Sequence, residues 1–139
     1  MKRLHVGVFL LVLSCGAAIA DDGAAVASGQ AAVKSWLARV DAGDYGRSWD
    51  EASAVLKKAV SRADWEKAAQ SARGPFGKVT SRKQRSATFT RTLPGGAPEG
   101  EYVVLVFDTD LEKHGGGIET VTAAREKDGA WRVAGYYIR

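Results

Sequence analysis

GEYVVLVFDTDLEKHGGGIETVTAAREKDGAWRVAGYYIR, Gly100 to Arg139, reads as three consecutive antiparallel strands, and the rest of the chain as the layer that covers them. Asp128-Gly129 tolerates the positive φ angles of a two-residue turn and lies between runs rich in Val, Thr, Ala, Tyr and Trp. Such a turn places Lys127 opposite Ala130, Arg125 opposite Arg132, Val121 opposite Tyr136 and Thr120 opposite Tyr137. The strand from Glu101 is apolar on both faces, which marks a central strand with both sides covered. Val103, Leu105 and Phe107, with Trp131 and Val133, are assigned to the helices. Tyr102, Val104, Val106, Ala134, Tyr136 and Ile138 are then left for the outer surface. An apolar outer face of that size predicts burial against a second copy, in a homodimer with twofold symmetry.

Lys78 to Arg91 predicts a further strand, with Val79, Ala87 and Phe89 on one parity and Thr80, Arg82, Gln84, Ser86, Thr88 and Thr90 on the other. Arg82, Lys83, Arg85 and Arg91 make it either an anion-binding ribbon or a charged edge strand protected from pairing. Before it come three predicted helices. The first runs from about Ala24, after a fraying Asp21–Gly29 stretch, through Val33, Trp36, Leu37 and Val40 to a stop at Gly43, with Asp41 pointing elsewhere. Asp44 caps the second, which presents Tyr45, Trp49, Ala52 and Leu56 on one face. Ser61 and Asp64 open the third, which buries Trp65, Ala68, Ala69 and Ala72 and ends at Gly74-Pro75. Helices followed by a four-stranded antiparallel sheet make an α+β domain.

The length of 139 residues suits one domain, and 45% hydrophobic with 26% charged content is ordinary for a folded soluble protein. Residues 1–20 read as a signal peptide: Lys2 and Arg3, the apolar run Val6 to Leu13, then Ala18-Ile19-Ala20. The domain proper is then 21–139, periplasmic or secreted. Val12-Leu13-Ser14-Cys15 offers the alternative of a lipid anchor on Cys15, the one route by which this chain is expected to meet a membrane. Removal of Lys2 and Arg3 takes the formal net charge from +4 to +2, so charge gives no case for a nucleic-acid partner. Cys15 is the only cysteine, so no disulfide is expected within the folded part.

With His5 in the leader, His114 is the one histidine of the processed chain. No metal site and no cofactor is expected from that donor set. His114 sits in a glycine-flanked hairpin loop, a poor mount for a catalytic base, and Gly115-Gly116-Gly117 precedes no helix that would cradle a phosphate. The catalytic candidates are Asp108 and Asp110, which share a face at the end of an apolar strand, with Tyr137 as a hydroxyl partner. Burial there would tune a carboxylate towards general-base work. The alternative is that both are solvated or bound to Arg125 or Arg132, and Glu119 is read as the surface partner of a nearby arginine. Trp36, Tyr45, Trp49, Phe107 and Tyr137 are the candidate lining of a ligand pocket; aromatics at such spacing also serve as plain core.

WLARVDAGDYGRSWDEAS (Trp36 to Ser53), GEYVVLVFDTD (Gly100 to Asp110), ETVT (Glu119 to Thr122) and DGAWRVAGYYIR (Asp128 to Arg139) resemble the bacterial family known as domain of unknown function 4019. The layout is similar to the nuclear-transport-factor-two-like fold, a cone of helices on a curved sheet around a pocket. The resemblance implies export and that fold, and brings no catalytic residues. The reading is an exported, non-enzymatic α+β domain that binds a small apolar ligand or a protein partner. The alternatives are an isomerase or dehydratase using Asp108 or Asp110 with a tyrosine, and a structural envelope dimer.

Overall fold

The computed structural model describes residues 17–139, with side chains from residue 22 onward; the expected leader with its cleavage-site side chains, and Cys15, lies outside the described side chains. Four α-helices, α1 (Ala17–Asp41), α2 (Tyr45–Asp50), α3 (Ala54–Ala59) and α4 (Arg62–Arg73), precede an antiparallel sheet of β1 (Val79–Thr90), β2 (Tyr102–Leu111), β3 (Gly115–Arg125) and β4 (Trp131–Ile138). The strands lie side by side in chain order and the sheet is not closed. The α+β class read from the sequence is the architecture found.

Each helix ends where its sequence supplies a cap. Gly43 at φ 75° stops α1, its N–H bonding to the Val40 carbonyl at 3.0 Å while the Asp44 N–H bonds to that of Arg39 at 2.9 Å. That is the paired C-terminal closure that a left-handed glycine allows. Asp44 caps α2 and Ser61 caps α4, as their positions predict. Two expectations change. The helix through Tyr45 and Leu56 is broken, because Ser53 turns to extended backbone, caps α3 through the Val55 N–H and gives its own N–H to the Val133 carbonyl at 2.8 Å. A serine satisfies more backbone groups there than it would inside a helix. The first helix is also continuous through Asp21–Gly29 rather than frayed. Gly29 is buried against Val103, so this segment is held on the sheet.

The core lies between the helices and one face of the sheet. Val33, Trp36, Leu37 and Val40 of α1, Leu56, Trp65 and Ala69 pack on Val103, Leu105, Phe107, Val121, Ala123 and Val133. On α4 the buried stripe is Trp65, Ala69 and Arg73, a strict four-residue step; Ala68 is exposed and Ala72 half-buried, contrary to expectation.

Register shifts correct several face assignments. The β3–β4 hairpin closes with Lys127, Asp128 and Gly129 as loop, since the Glu126 N–H bonds to the Ala130 carbonyl at 2.7 Å and Gly129 takes φ 84°. Arg125 therefore pairs with Trp131 and Ala124 with Arg132. A bulge at Ala134 then restores the expected pairs Val121–Tyr136 and Thr120–Tyr137. The extra residue reverses parity. Tyr136 and Ile138 consequently lie on the helix side with Trp131 and Val133, and Tyr137 points outward, 61% exposed. On β1, shifts at Thr80 and Arg85 put Val79, Arg82, Gln84, Ala87 and Phe89 opposite inward residues of β2, so Arg82 and Gln84 also face the helices. At the other end of the outer face Tyr102 is buried, its hydroxyl donating to the Pro98 carbonyl in the loop before β2.

Candidate functional site

Arg82, turned inward by those shifts, reaches across β2 to Glu119 on β3. Its Nε–H donates to Glu119 Oε1 at 2.8 Å and its Nη2 to Oε2 at 3.3 Å. Thr109, directly opposite Arg82 on β2, donates its hydroxyl to the same Oε1 at 2.6 Å. The Tyr136 hydroxyl donates to Oε2 at 2.5 Å, and Arg73 Nη1 stands 3.8 Å from that oxygen. Glu119 is 0% exposed, which corrects its expected place on the surface.

Asp41 closes the set. At the last residue of α1 it accepts from Arg82 through Nη1 at 2.8 Å and Nη2 at 2.9 Å, and from Arg73 Nη2 at 3.0 Å. Two carboxylates thus share two guanidiniums with no formal charge left over. Arg73 Nε remains without a hydrogen-bond partner although buried.

The electrostatics follow from that sharing. Burial alone would push the Glu119 carboxyl up, but the bonds from Arg82, Thr109 and Tyr136 outweigh it and hold it below its ordinary value. Asp41 is lowered in the same way: burial pushes up, and Arg82 and Arg73 more than reverse it. Burial, reinforced by the Glu119 charge, lifts the Tyr136 phenol above its ordinary value. Arg82 is raised by both carboxylates against the opposing effect of burial. A carboxylate held ionised with both oxygens occupied is a poor general base. The set is a structural clamp tying α1, α4 and all four strands together.

Beside the clamp a groove of about 400 Å³ opens between α1 and β1. Leu37, Leu105 and Phe107 form its apolar floor with Ala38, Gln30, Lys34 and Gln84 its rim, and the Asp41–Arg82 pair its end. Gln30 donates to Gln84 at 3.2 Å across one end. Among the described residues Lys34 forms no ion pair, although Arg82 at the same groove is doubly paired.

The aromatic candidates are not gathered around one cavity. Phe107 lies at the groove. Trp36 is core, 5.8 Å from Trp65 and 5.5 Å from Tyr136 between ring centres. Ser48 satisfies both indoles, its carbonyl accepting from Trp36 at 2.8 Å and its hydroxyl from Trp65 at 2.9 Å. Trp49 packs on the core edge and donates to the Val60 carbonyl at 3.0 Å, and Tyr45 packs half-buried beside it. Tyr137 is on the opposite face of the sheet. Asp108 and Asp110 are exposed rather than buried, and Asp108 is held by Arg85, at 2.5 Å and 3.2 Å, not by Arg125 or Arg132. Arg125 pairs with Glu101 and Arg132 with Asp128. Among the described residues no group of three acidic, histidine or cysteine side chains is placed to hold a metal ion.

The clamp residues escaped the sequence reading, but they left traces. Glu119 shares parity with Val121 and Ala123, and Thr109 with Leu105 and Phe107, so each is a polar residue on an apolar face. Arg73 continues the step of Trp65 and Ala69. Arg82 left none, because a bulge decides its face.

A family model described as "Protein of unknown function (DUF4019)" matches residues 32–136. No curated protein and no solved structure matches the chain.

Proposed function

We propose, from the premise that the chain belongs to the DUF4019 family, that it is a non-enzymatic binding domain whose α1–β1 groove takes a small apolar ligand. The observation that carries this is the floor of Leu37, Leu105 and Phe107 under a groove of about 400 Å³, within the size range of small-molecule sites. Helices covering one face of a bulged sheet support kinship with the cone-shaped nuclear-transport-factor-two-like fold. Trp36, Trp65 and the Glu119 clamp fill the interior, which moves the ligand to the groove. The enzyme reading has less support: Asp108 and Asp110 are exposed, and Glu119 has both oxygens engaged. Export is supported by Lys2, Arg3, the Val6–Leu13 run and Ala18-Ile19-Ala20, and a processed protein whose mass begins at Asp21 is the expected result.

The groove is tested with the neutral apolar fluorophore N-phenyl-1-naphthylamine. Saturable enhancement is expected in the wild type, and its loss in Ala38→Trp, where an indole fills the groove from exposed helix surface. Equal enhancement in both proteins would overturn the assignment. A second reading, self-association through the outer sheet face, is favoured by Tyr137, the exposed large hydrophobic side chain there. Sedimentation of the wild type beside Tyr137→Lys tests it, the variant being expected as the lighter species.

A further inference from the structure

We infer that the ligand of this groove is an apolar monoanion, a carboxylate or sulfonate on an aliphatic or aromatic body, with Lys34 as its counter-ion. The inference rests on the binding-domain reading above and adds the chemical class of the ligand.

The two cations of the groove are unlike. Arg82 is spent: four of its donor contacts go to Asp41 and Glu119, and moving it would strand a buried carboxylate. Lys34 is exposed, lines the groove and forms no ion pair among the described residues. Its neighbours on the rim, Gln30 and Gln84, are neutral amides already bonded to each other. The Asp41 carboxylate at the groove's end is covered by two guanidiniums and repels an incoming anion little. An apolar body on Leu105 and Phe107 therefore finds one uncompensated charge at the rim, and that charge is positive.

The groove is also held open. Gly29 brings α1 against Val103 of β2, and a Cβ there would lie 2.7 Å from the Val103 Cβ. The Asp41–Arg82 bridge fixes the other end of the helix to β1. Between those two anchors α1 does not collapse onto β1 to fill the space. A preformed site loses less ordering entropy on binding than one that must be opened.

The test compares two probes with the same aromatic body. 1-Anilinonaphthalene-8-sulfonate carries an anion, and N-phenyl-1-naphthylamine is the same molecule without it. The sulfonate is expected to bind wild type about threefold to fivefold tighter, the scale of one solvent-exposed ion pair. In Lys34→Gln that preference should fall to about one while the neutral probe is unchanged, and Lys34→Arg should retain it. Salt near 1 M, where the Debye length is about 3 Å, should erase it in the wild type. Equal affinities in the wild type, or a preference that survives in Lys34→Gln, would overturn the assignment of the anion to Lys34 while leaving the apolar groove standing. Failure of both probes to bind would remove the groove itself.

Discussion

Arg82 on the edge strand and Glu119 on the third strand meet above Thr109 of the intervening strand, Nε to Oε1 at 2.8 Å. A cation from the sheet margin thus neutralises a carboxylate that water does not reach. Asp41 and Arg73 extend the pair to α1 and α4, so the contact joins helical layer to sheet. Buried ion pairs gain little over apolar packing, but removing one partner leaves a charge without compensation.

Glu119→Ala should therefore destabilise the protein by about 3–5 kcal/mol. Urea melts followed by tryptophan fluorescence measure it, and a loss below about 1 kcal/mol would mean that solvent reaches this site. Lys34→Ala, on exposed helix surface, is the control and should stay within about 0.5 kcal/mol of wild type.

The same groups set the pH response. Asp41 and Glu119 have carboxyls lowered in the folded state, so the unfolded chain takes up their protons first. Their contribution is complete above the unfolded values near 4 and is lost as pH falls through the folded ones. Tyr136 is raised, so its contribution is complete below the unfolded tyrosine value near 10 and is lost as pH rises beyond it. Stability should be level between about pH 5 and 9 and fall on both sides. Tyr136→Phe should weaken the alkaline fall and, by removing one of the bonds that lower Glu119, also soften the acid one; an unchanged alkaline limb would argue that Tyr136 is not the group responsible.

Local chemistry was legible in the sequence. Gly43, Asp44 and Ser61 each cap the helix their positions announce, and the four strands lie where alternation places them. What the sequence did not show is non-local. Whether Asp128-Gly129 closes over two residues or three, and whether Ala134 and Arg85 bulge, depends on which partner strand offers the better pairs. Each shift is one residue, and one residue exchanges the faces of a strand. Tyr136 and Arg82 therefore lie on the side opposite to the one their alternation suggests, while Val121 pairs with Tyr136 as the turn implies. The clamp needs two such shifts to assemble, so it was not visible from any single segment.

Gly29 offers a local test of how α1 is seated. A Cβ at this position would lie 2.7 Å from the Val103 Cβ and 2.9 Å from Cγ2, contacts that a packed core does not accommodate without movement. Gly29→Ala should cost about 1–3 kcal/mol, despite the better helix propensity of alanine. In a Val103→Ala background the Cγ contacts are gone while the Cβ stays, now free to move into the vacated space, so the same substitution should cost less than in the wild type. Equal costs in the two backgrounds would show that the Val103 methyls do not limit how closely α1 is seated.

Tyr136 and Tyr137 are adjacent in sequence, and the bulge at Ala134 gives them opposite environments. Tyr136 packs on Trp36 and donates to Glu119, whereas Tyr137 is 61% exposed. Without the bulge the assignment would invert. Tyr137→Lys should keep stability within about 0.5 kcal/mol of wild type, as surface changes usually do. Tyr136→Lys places an ammonium beside Arg73 and in the core, and should cost more than about 3 kcal/mol or prevent folding. Because loss of fold alone is a blunt result, Tyr136→Phe supplies the graded measurement. It keeps the ring on Trp36 and removes only the hydroxyl that satisfies Glu119 Oε2. A cost of about 1–3 kcal/mol is expected, the desolvation cost of a buried acceptor left one bond short. A neutral Tyr136→Phe together with a costly Tyr137→Lys would place Ala134 in regular register and turn the sheet's last strand over.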